Sequence, residues 1–419
     1  VQKEWDNEVV DLVRSMGKRV VAGGPFVSTS SDKLPAADHI FIGEAETTLP
    51  EFIHDLELGI ARKFYQANER PALQNTPVPD FSLIDMRHYS AMSIQYSRGC
   101  PFSCEFCDII EIYGRVPRTK SNEQLLAELD ALKDAGWRGM VFIVDDNFIG
   151  NKKNVRLLLP ALLEWSRKNG DPFKFITEAS INLAEDETLL QLMQDVGFKR
   201  VFLGIETPVE ESLKLANKGQ NTKRNLLDSI KKIQSYGLEV MGGFIVGFDT
   251  DPDDIFERQM NFIRESGIPL AMVGLLSALP DTQLWRRLSK EGRLLDETSG
   301  NNTDCSLNFI PKMDKEKLVA GYKTLLRNIY SPKEYYTRVL TCLSRSRHGE
   351  SGMLRRNVKD DLRSFFKLIF TLGIQDPARL QFWKYFYRLV RFHPRNFAHG
   401  LTLAAMGYHF RLITEKYTA

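Results

Sequence analysis

The 419-residue chain has no run of about 18 apolar residues, the least that would carry a helix across a bilayer, and shows no signal peptide. It has almost no net charge. Its 56 Lys and Arg against 54 Asp and Glu leave +2, so no global field draws in nucleic acid. Cysteine is scarce: Cys100, Cys104, Cys107, Cys305 and Cys342 are the five. Three are clustered and two lone, which is not the framework of a secreted disulfide protein, and a reducing cytoplasm is the expected compartment. Low-complexity tracts and repeats beyond a strand–helix alternation are missing. An initiator methionine is missing too. The chain starts at Val1 in what reads as the middle of an α/β half-domain, so a fragment without its first strands is expected. What is there, 43% hydrophobic and 26% charged, is an ordinary globular composition, long enough for roughly two to four domains.

Residues 1–60 give a helix over 6–16, where Val9, Val10, Leu12 and Val13 set the apolar spacing, then a short strand over 19–22 that runs into Gly23-Gly24-Pro25. A strand over 39–43 and a helix over 46–56 follow. Two strands are too few for a doubly wound sheet, which has about five, so the others are expected upstream. Residues 61–90 read as a linker, because Pro71, Pro77 and Pro79 break helix and ladder alike. From 91 to 294 the alternation is regular. Strands are expected over 93–97, 140–144, 174–178, 200–205, 240–246 and 272–277, and helices over 122–135, 153–168, 186–196, 223–236, 253–265 and 282–291. Six such units imply a parallel sheet or open barrel with right-handed crossovers. Such sheets bind ligands at the carboxyl ends of their strands. The last stretch, 295–419, is helical by pattern and rich in aromatics. From Ser331 onward it carries 16 basic and 6 acidic residues, or +10, which leaves −8 (+2 − 10) for the rest of the chain.

Three of the cysteines stand in Ser97-Arg98-Gly99-Cys100-Pro101-Phe102-Ser103-Cys104-Glu105-Phe106-Cys107, just after the first barrel strand. A structural zinc site closes its tetrahedron with four protein ligands; three thiolates leave a position open. On a [4Fe–4S] cluster, normally held by four cysteines, one iron is then free to bind a substrate or cofactor. The alternative is a zinc knuckle completed by a remote ligand such as Cys305 or a histidine, and that alternative does not call for the strand–helix units downstream.

Cluster and units together resemble the radical S-adenosylmethionine superfamily. The resemblance implies that Cys100, Cys104 and Cys107 are metal ligands, that the open iron binds the amine and carboxylate of S-adenosylmethionine, and that one electron cleaves this molecule to a 5′-deoxyadenosyl radical. It also implies cofactor contacts, strand by strand. Phe106 lies near the adenine, and Asp145 and Asp146 of Val144-Asp145-Asp146-Asn147 near the methionyl amino group. Glu178 and Ser180 end the third strand and reach methionine or ribose. Glu206 belongs to Leu203-Gly204-Ile205-Glu206-Thr207, and Gly243 and Gly247 to Gly242-Gly243-Phe244-Ile245-Val246-Gly247-Phe248-Asp249, where glycine admits the adenine close to the backbone. Each of these carboxylates alone could equally be a helix cap or turn residue.

Upstream, Val20-Val21-Ala22-Gly23-Gly24-Pro25-Phe26-Val27 and Ala37-Asp38-His39-Ile40-Phe41-Ile42-Gly43-Glu44-Ala45-Glu46 look like the end of a cobalamin-binding domain. That places Gly23, Gly24 and Pro25 beside the nucleotide tail of the corrinoid; a generic Rossmann-like loop is the other reading. His39 reads as structural. Downstream, Ser306-Leu307-Asn308-Phe309-Ile310-Pro311, Gly321-Tyr322, Ile329-Tyr330-Ser331-Pro332 and Tyr335-Tyr336 are similar to the tail of the subgroup that includes the hopanoid C-2 methylase and the bacteriochlorophyll side-chain methylases.

The implied fold is α/β. A partial (β/α)6 radical barrel over 91–294 is preceded by the end of a Rossmann-like cobalamin-binding domain at 1–60 and the linker at 61–90, and followed by a mainly helical domain at 295–419. The implied activity is methyl transfer to an unactivated carbon of a lipid, terpenoid or tetrapyrrole. It uses a [4Fe–4S] cluster, S-adenosylmethionine and cobalamin, with flavodoxin or ferredoxin as electron donor. Cyclisation without methyl transfer stays open, as does an iron–sulfur or zinc protein without catalysis. No nucleic-acid module is visible, so no such partner is expected. In the tail, Arg355, Arg356, Lys359, Arg363 and Lys367 share a helix with Leu362, Phe365, Phe366 and Ile369. Such a helix either rests on anionic lipid, as a peripheral membrane contact, or is a solvated face over a helical core. Tyr113, Arg115, Arg118 and Lys120 either meet a cofactor carboxylate or flank the loop. Cys305, Cys342, His348, His393, His399 and His409 have no ligand spacing.

Overall fold

The computed structural model of the chain describes residues 2–31, 34, 36–67, 69–295, 305–345 and 358–418. Strands β1 (Val21–Ala22), β2 (His39–Ile42) and β3 (Phe64–Gln66) form a parallel three-stranded sheet. The main sheet takes β4 (Ala91–Ile94), β7 (Gly139–Ile143), β8 (Phe173–Ala179), β9 (Phe198–Glu206), β10 (Glu239–Val246) and β11 (Ala271–Leu275). All six are parallel, each beside the one before it in the chain. The short pair β5 (Ser97–Arg98) and β6 (Arg118–Thr119) is antiparallel and lies just beyond β4.

The connecting helices start and stop where their caps dictate. Ser121 accepts from the Gln124 amide ahead of helix Asn122–Asp134, Asp186 from Leu189 ahead of Glu187–Val196, and Thr282 from Trp285 ahead of Gln283–Lys290. Each such cap stabilises its helix by about 1 kcal/mol. The helices cover the outer face of the sheet. Val141, Ile143, Phe173, Phe175, Val201, Leu203, Val240 and Val246 are all fully buried there. Trp165 of helix Lys152–Lys168 stacks on Phe173, and Phe262 of helix Ile255–Ser266 meets Phe244 edge-on. The alternate residues, such as Phe142, Ile176, Glu178, Phe202, Gly243 and Ile245, point to the opposite face and stay half-buried. The concave face therefore retains space that an ordinary closed barrel fills with side chains.

At the amino end of β10, Glu239 is sealed among partners. Arg200 Nε lies 2.9 Å from one carboxylate oxygen and His399 Nε2 2.6 Å from the other. Burial works against the charge of Glu239, but Arg200 and His399 outweigh it and hold the carboxyl at about 2. The tail covers the open edge of β11. The hydroxyls of Tyr322 and Tyr330 donate to the Val273 and Ala271 carbonyls, and Arg338 donates to the Ile268 carbonyl. An uncovered edge would present a row of unpaired backbone groups.

Three expectations change. The segment read as a linker, 61–90, opens with β3, because Tyr65 packs against Phe41 and Phe52 and outweighs the prolines that follow it. The first barrel strand stops at Ile94 rather than running to Ser97, because a carboxylate from the next strand captures Tyr96 and Ser97. The helix expected from 223 starts at Leu226, where Asn225 caps it. In the tail, Phe365 and Ile369 turn toward the core while Leu362 and Phe366 face outward; Arg355, Arg356 and His348 lie outside the described residues, and so does the side chain of Lys359.

Candidate active site

The cysteine loop leaves the sheet at the carboxyl end of β4. Asp145, fully buried just past the end of β7, accepts from the Tyr96 amide and the Ser97 hydroxyl at 2.7 Å each. Burial pushes its carboxyl up to about 6 against those two hydrogen bonds. Asp146 accepts from the Gly99 amide at 3.1 Å. Gly99 has φ 95°, and a Cβ there would lie 2.8 Å from the Gly114 carbonyl oxygen, so the loop turns where only glycine fits. Two further bonds fix its far half. The Glu105 amide donates to Ala216 O and the Leu284 amide to Glu105 O. Arg287 then bridges the Glu105 and Asp249 carboxylates at 2.9 Å each, fastening the loop to the chain beyond β10.

The three thiols lie on this braced loop, Cys104 buried and Cys100 and Cys107 half-buried. Asn147 Nδ2 lies 3.7 Å from the Cys100 sulfur and Gln220 Nε2 3.5 Å from that of Cys104. Burial pushes the Cys107 thiol up to about 12 and that of Cys100 upward. A thiol so placed ionises only with positive charge beside it. Among the described residues no three Cys, His, Asp or Glu side chains converge on a single ion. Three thiols on one short loop are the donor chemistry of a polynuclear iron–sulfur cluster, which offers each thiolate a separate iron. The donor set therefore fits an iron–sulfur cluster.

Around the loop, the residues singled out in the sequence divide into two groups. Asp146, Glu178 and Ser180 come together: Ser180 Oγ lies 3.2 Å from Asn147 Nδ2, and the charge of Asp146 bears on Glu178. Glu178 is half-buried, and among the described residues it has no hydrogen-bond partner. Burial first, and Asp146 second, push its carboxyl up to about 7. Phe106 meets Phe248 edge-on, their ring centres 6.2 Å apart. Glu206 instead is buried against Lys218 at 2.5 Å, with φ 65°. Gly243 makes way for the ring of Phe202, 2.9 Å from where its Cβ would be. Gly247, at φ 105°, donates its amide to Asp251. Asp145 likewise is spent on the loop. These four shape the site from behind.

Gly23 lacks a Cβ where one would press on Phe41, Gly24 takes φ 104°, and Pro25 opens the short helix Pro25–Thr29. His39 is structural, with Nδ1 2.6 Å from Arg62 O. A cavity of about 250 Å³ separates this turn from the barrel, bordered by Gly24, Pro25, Glu44, Gln95, Arg98 and Tyr113. Glu44 spans the junction: Arg98 and Arg118, both on the barrel side, pair with its two oxygens at 2.6 Å each. Arg118 is thus committed to Glu44, Lys120 to Glu128, and Arg115 to the Pro101 carbonyl, while Tyr113 alone of the four borders the cavity.

Sequence reasoning missed Arg98, Glu44, Lys218 and Gln220. Arg98 lies two residues before Cys100 and was the one legible hint. Lys218 packs its ammonium 5.8 Å from the Phe106 ring centre. Burial opposes its charge, but the Glu206 carboxylate beside it outweighs that and holds it protonated. Nothing local in Lys218-Gly219-Gln220-Asn221 marks it.

A family model described as the radical SAM superfamily matches residues 94–263, and one described as a domain of unknown function (DUF4070) matches 282–419. An uncharacterized methyltransferase of Synechocystis sp. is 42% identical over 98% of this chain and 77% of that protein. The hopanoid C-2 methylase of Rhodopseudomonas palustris is 35% identical over 93% of this chain and 75% of that protein. Among solved structures, the radical S-adenosylmethionine methyltransferase TsrM from Kitasatospora setae, with cobalamin and a [4Fe–4S] cluster bound, superposes with a TM-score of 0.64 at 14% identity, covering 97% of this chain and 85% of that one. At that identity the likeness concerns the fold. Half-barrel, braced three-cysteine loop and near-full-length relatives agree, and the chain belongs to the radical SAM superfamily, in the group that contains the hopanoid C-2 methylase.

Proposed function

We propose that this chain belongs to a cobalamin-dependent radical S-adenosylmethionine methyltransferase acting on an unactivated carbon of a lipid, terpenoid or tetrapyrrole. The observation that carries the reading is the junction. Glu44 joins the Gly23-Gly24-Pro25 sheet to Arg98, two residues before the first cysteine, with a cavity between them. A corrinoid held by the turn would face the cysteine loop across that cavity. The named relatives, one a hopanoid methylase, support the reaction class.

In this reading Cys100, Cys104 and Cys107 ligate the cluster, and Asn147 and Gln220 donate to the sulfurs of Cys100 and Cys104. Glu178 and Ser180 receive the methionyl or ribose end of S-adenosylmethionine, with Phe106 and the Gly243 strand toward the adenine. Asp145, Asp146, Glu206 and Gly247 hold these parts in place. The bound cofactors supply the electron, the adenosyl radical and the methyl group. The chain orients them. A flavodoxin or ferredoxin is the expected electron donor, and the cytoplasm the expected location. We place the domain limits near 66, 90 and 294.

The test is anaerobic reconstitution of the full-length protein with S-adenosylmethionine, cobalamin and reductant, followed by a mass search of host lipids and pigments with and without the gene. A product heavier by one methyl group is expected. A gene-dependent product with no added carbon would replace methyl transfer with cyclisation. Zinc in place of about four irons per chain would overturn the cofactor assignment.

A further inference from the structure

Two tail helices, Val358–Phe370 and Arg379–Phe392, are joined by the π-helical turn Thr371–Gln375 and tied by Trp383, which donates to the Gly373 carbonyl at 2.9 Å. Each has a face in the core: Phe365, Leu368 and Ile369 on the first, Phe382, Tyr385 and Leu389 on the second. The outward faces are also apolar. Leu362, Phe366 and Phe370 recur every fourth residue, all exposed, and Phe366 is 65% exposed. On the second helix Leu380, Trp383, Tyr387 and Val390 fall within about 80° of arc at 100° per residue, with Leu380 72% and Tyr387 66% exposed. An apolar outward face on each of two consecutive helices is not the scattered exposure of an ordinary surface.

What borders these faces identifies their occupant. Residues 362–395 contain seven Lys and Arg, among them Arg363 and Lys367 on the first helix and Lys384, Arg388 and Arg391 on the second. All five of these side chains are exposed. The single carboxylate of that stretch, Asp376, is buried and paired with Arg411, so it offsets nothing at the surface. A surface that buries against another protein is depleted of charge at its core and carries both signs at its rim. An apolar face carrying Trp and Tyr, flanked from residue 362 onward by exposed side chains of positive charge only, is the pattern of a helix lying in the interface of an anionic membrane.

We propose that the outer face of helices Val358–Phe370 and Arg379–Phe392 docks in the plane of an anionic lipid surface. The docking is independent of whether the reaction is methyl transfer. Its test is co-sedimentation of the full chain with vesicles of phosphatidylcholine alone and of equal parts phosphatidylcholine and phosphatidylglycerol, at low and at molar salt. Binding is expected to the phosphatidylglycerol vesicles only, and high salt should weaken it. Two exposed double variants, Leu380→Ser/Tyr387→Ser and Lys384→Glu/Arg388→Glu, should each lower the bound fraction about tenfold while the circular dichroism spectrum stays that of the parent. No binding to the anionic vesicles at low salt would overturn the proposal, and so would binding that survives in both variants. A dimer in light scattering that either variant dissolves would assign the face to a second copy instead.

Discussion

Two glutamates of one sheet sit in opposite states. Glu239, at the amino end of β10, is held at about 2 between Arg200 and His399. Glu178, near the carboxyl end of β8, is pushed up to about 7 with no partner among the described residues. Both lose water, but only one is compensated. At the closed end the buried Glu239 carboxylate finds two counter-charges, and a buried charge left without one would be costly. At the open end Glu178 has no counter-charge among the described residues, and burial pushes the Cys100 and Cys107 thiols up as well. Titratable groups shifted by uncompensated burial gather at functional sites.

The largest effect should come from the open end. Cys104→Ala removes a proposed cluster ligand from the braced loop, so the chain should keep its fold while bound iron and 5′-deoxyadenosine formation fall to background. Iron and sulfide analysis with circular dichroism checks both halves of that statement. At the closed end Glu239→Ala strands a guanidinium and an imidazole, and breaking a buried pair in this way costs about 3–5 kcal/mol in denaturant unfolding. Because the folded carboxyl is depressed, the stabilisation that Glu239 contributes is present above about pH 4.5 and lost as pH falls toward 2. Glu239→Gln should remove that acid limb of the stability curve.

Glu44→Ala should act between the two regions, freeing the first sheet from the barrel. Hydrogen exchange should rise in Val21–Ala22 and His39–Ile42 and stay unchanged in Phe173–Ala179. The glutamate at the open end offers a finer test. If Glu178 as a carboxylate accepts from the cofactor, affinity for S-adenosylmethionine should rise by up to about tenfold per pH unit below pH 7 and level off above it. Glu178→Gln should flatten that profile with little change in stability. The smallest effect belongs to Gln220→Leu, which removes a donor to the Cys104 sulfur. The cluster potential should move to more negative values in a redox titration, with iron content unchanged.

The closed end was largely legible in the sequence. Strand and helix follow from period and caps, and Leu125, Leu129 and Leu132 announce their helix as plainly as Ser121 announces its start. The misreadings share a cause. β4 ends early because Asp145, some fifty residues away in the chain, claims Tyr96 and Ser97. β3 hides in front of three prolines because its strand depends on packing against Phe41 and Phe52. At the open end the cysteines and the strand-end acids stood out as residue types. Which acids stay unpaired did not, since Lys218, twelve residues further on, pairs with Glu206 and leaves Glu178 without a cation among the described residues.

The central claim is that the three-cysteine loop at the open end holds a cluster that cleaves S-adenosylmethionine. Its most direct measurement is 5′-deoxyadenosine released per chain by anaerobically reconstituted protein under dithionite, in the parent and in Cys104→Ala. The account predicts release by the parent and none by the variant. Release at the same rate from both, or none from a parent carrying about four irons per chain, would contradict it.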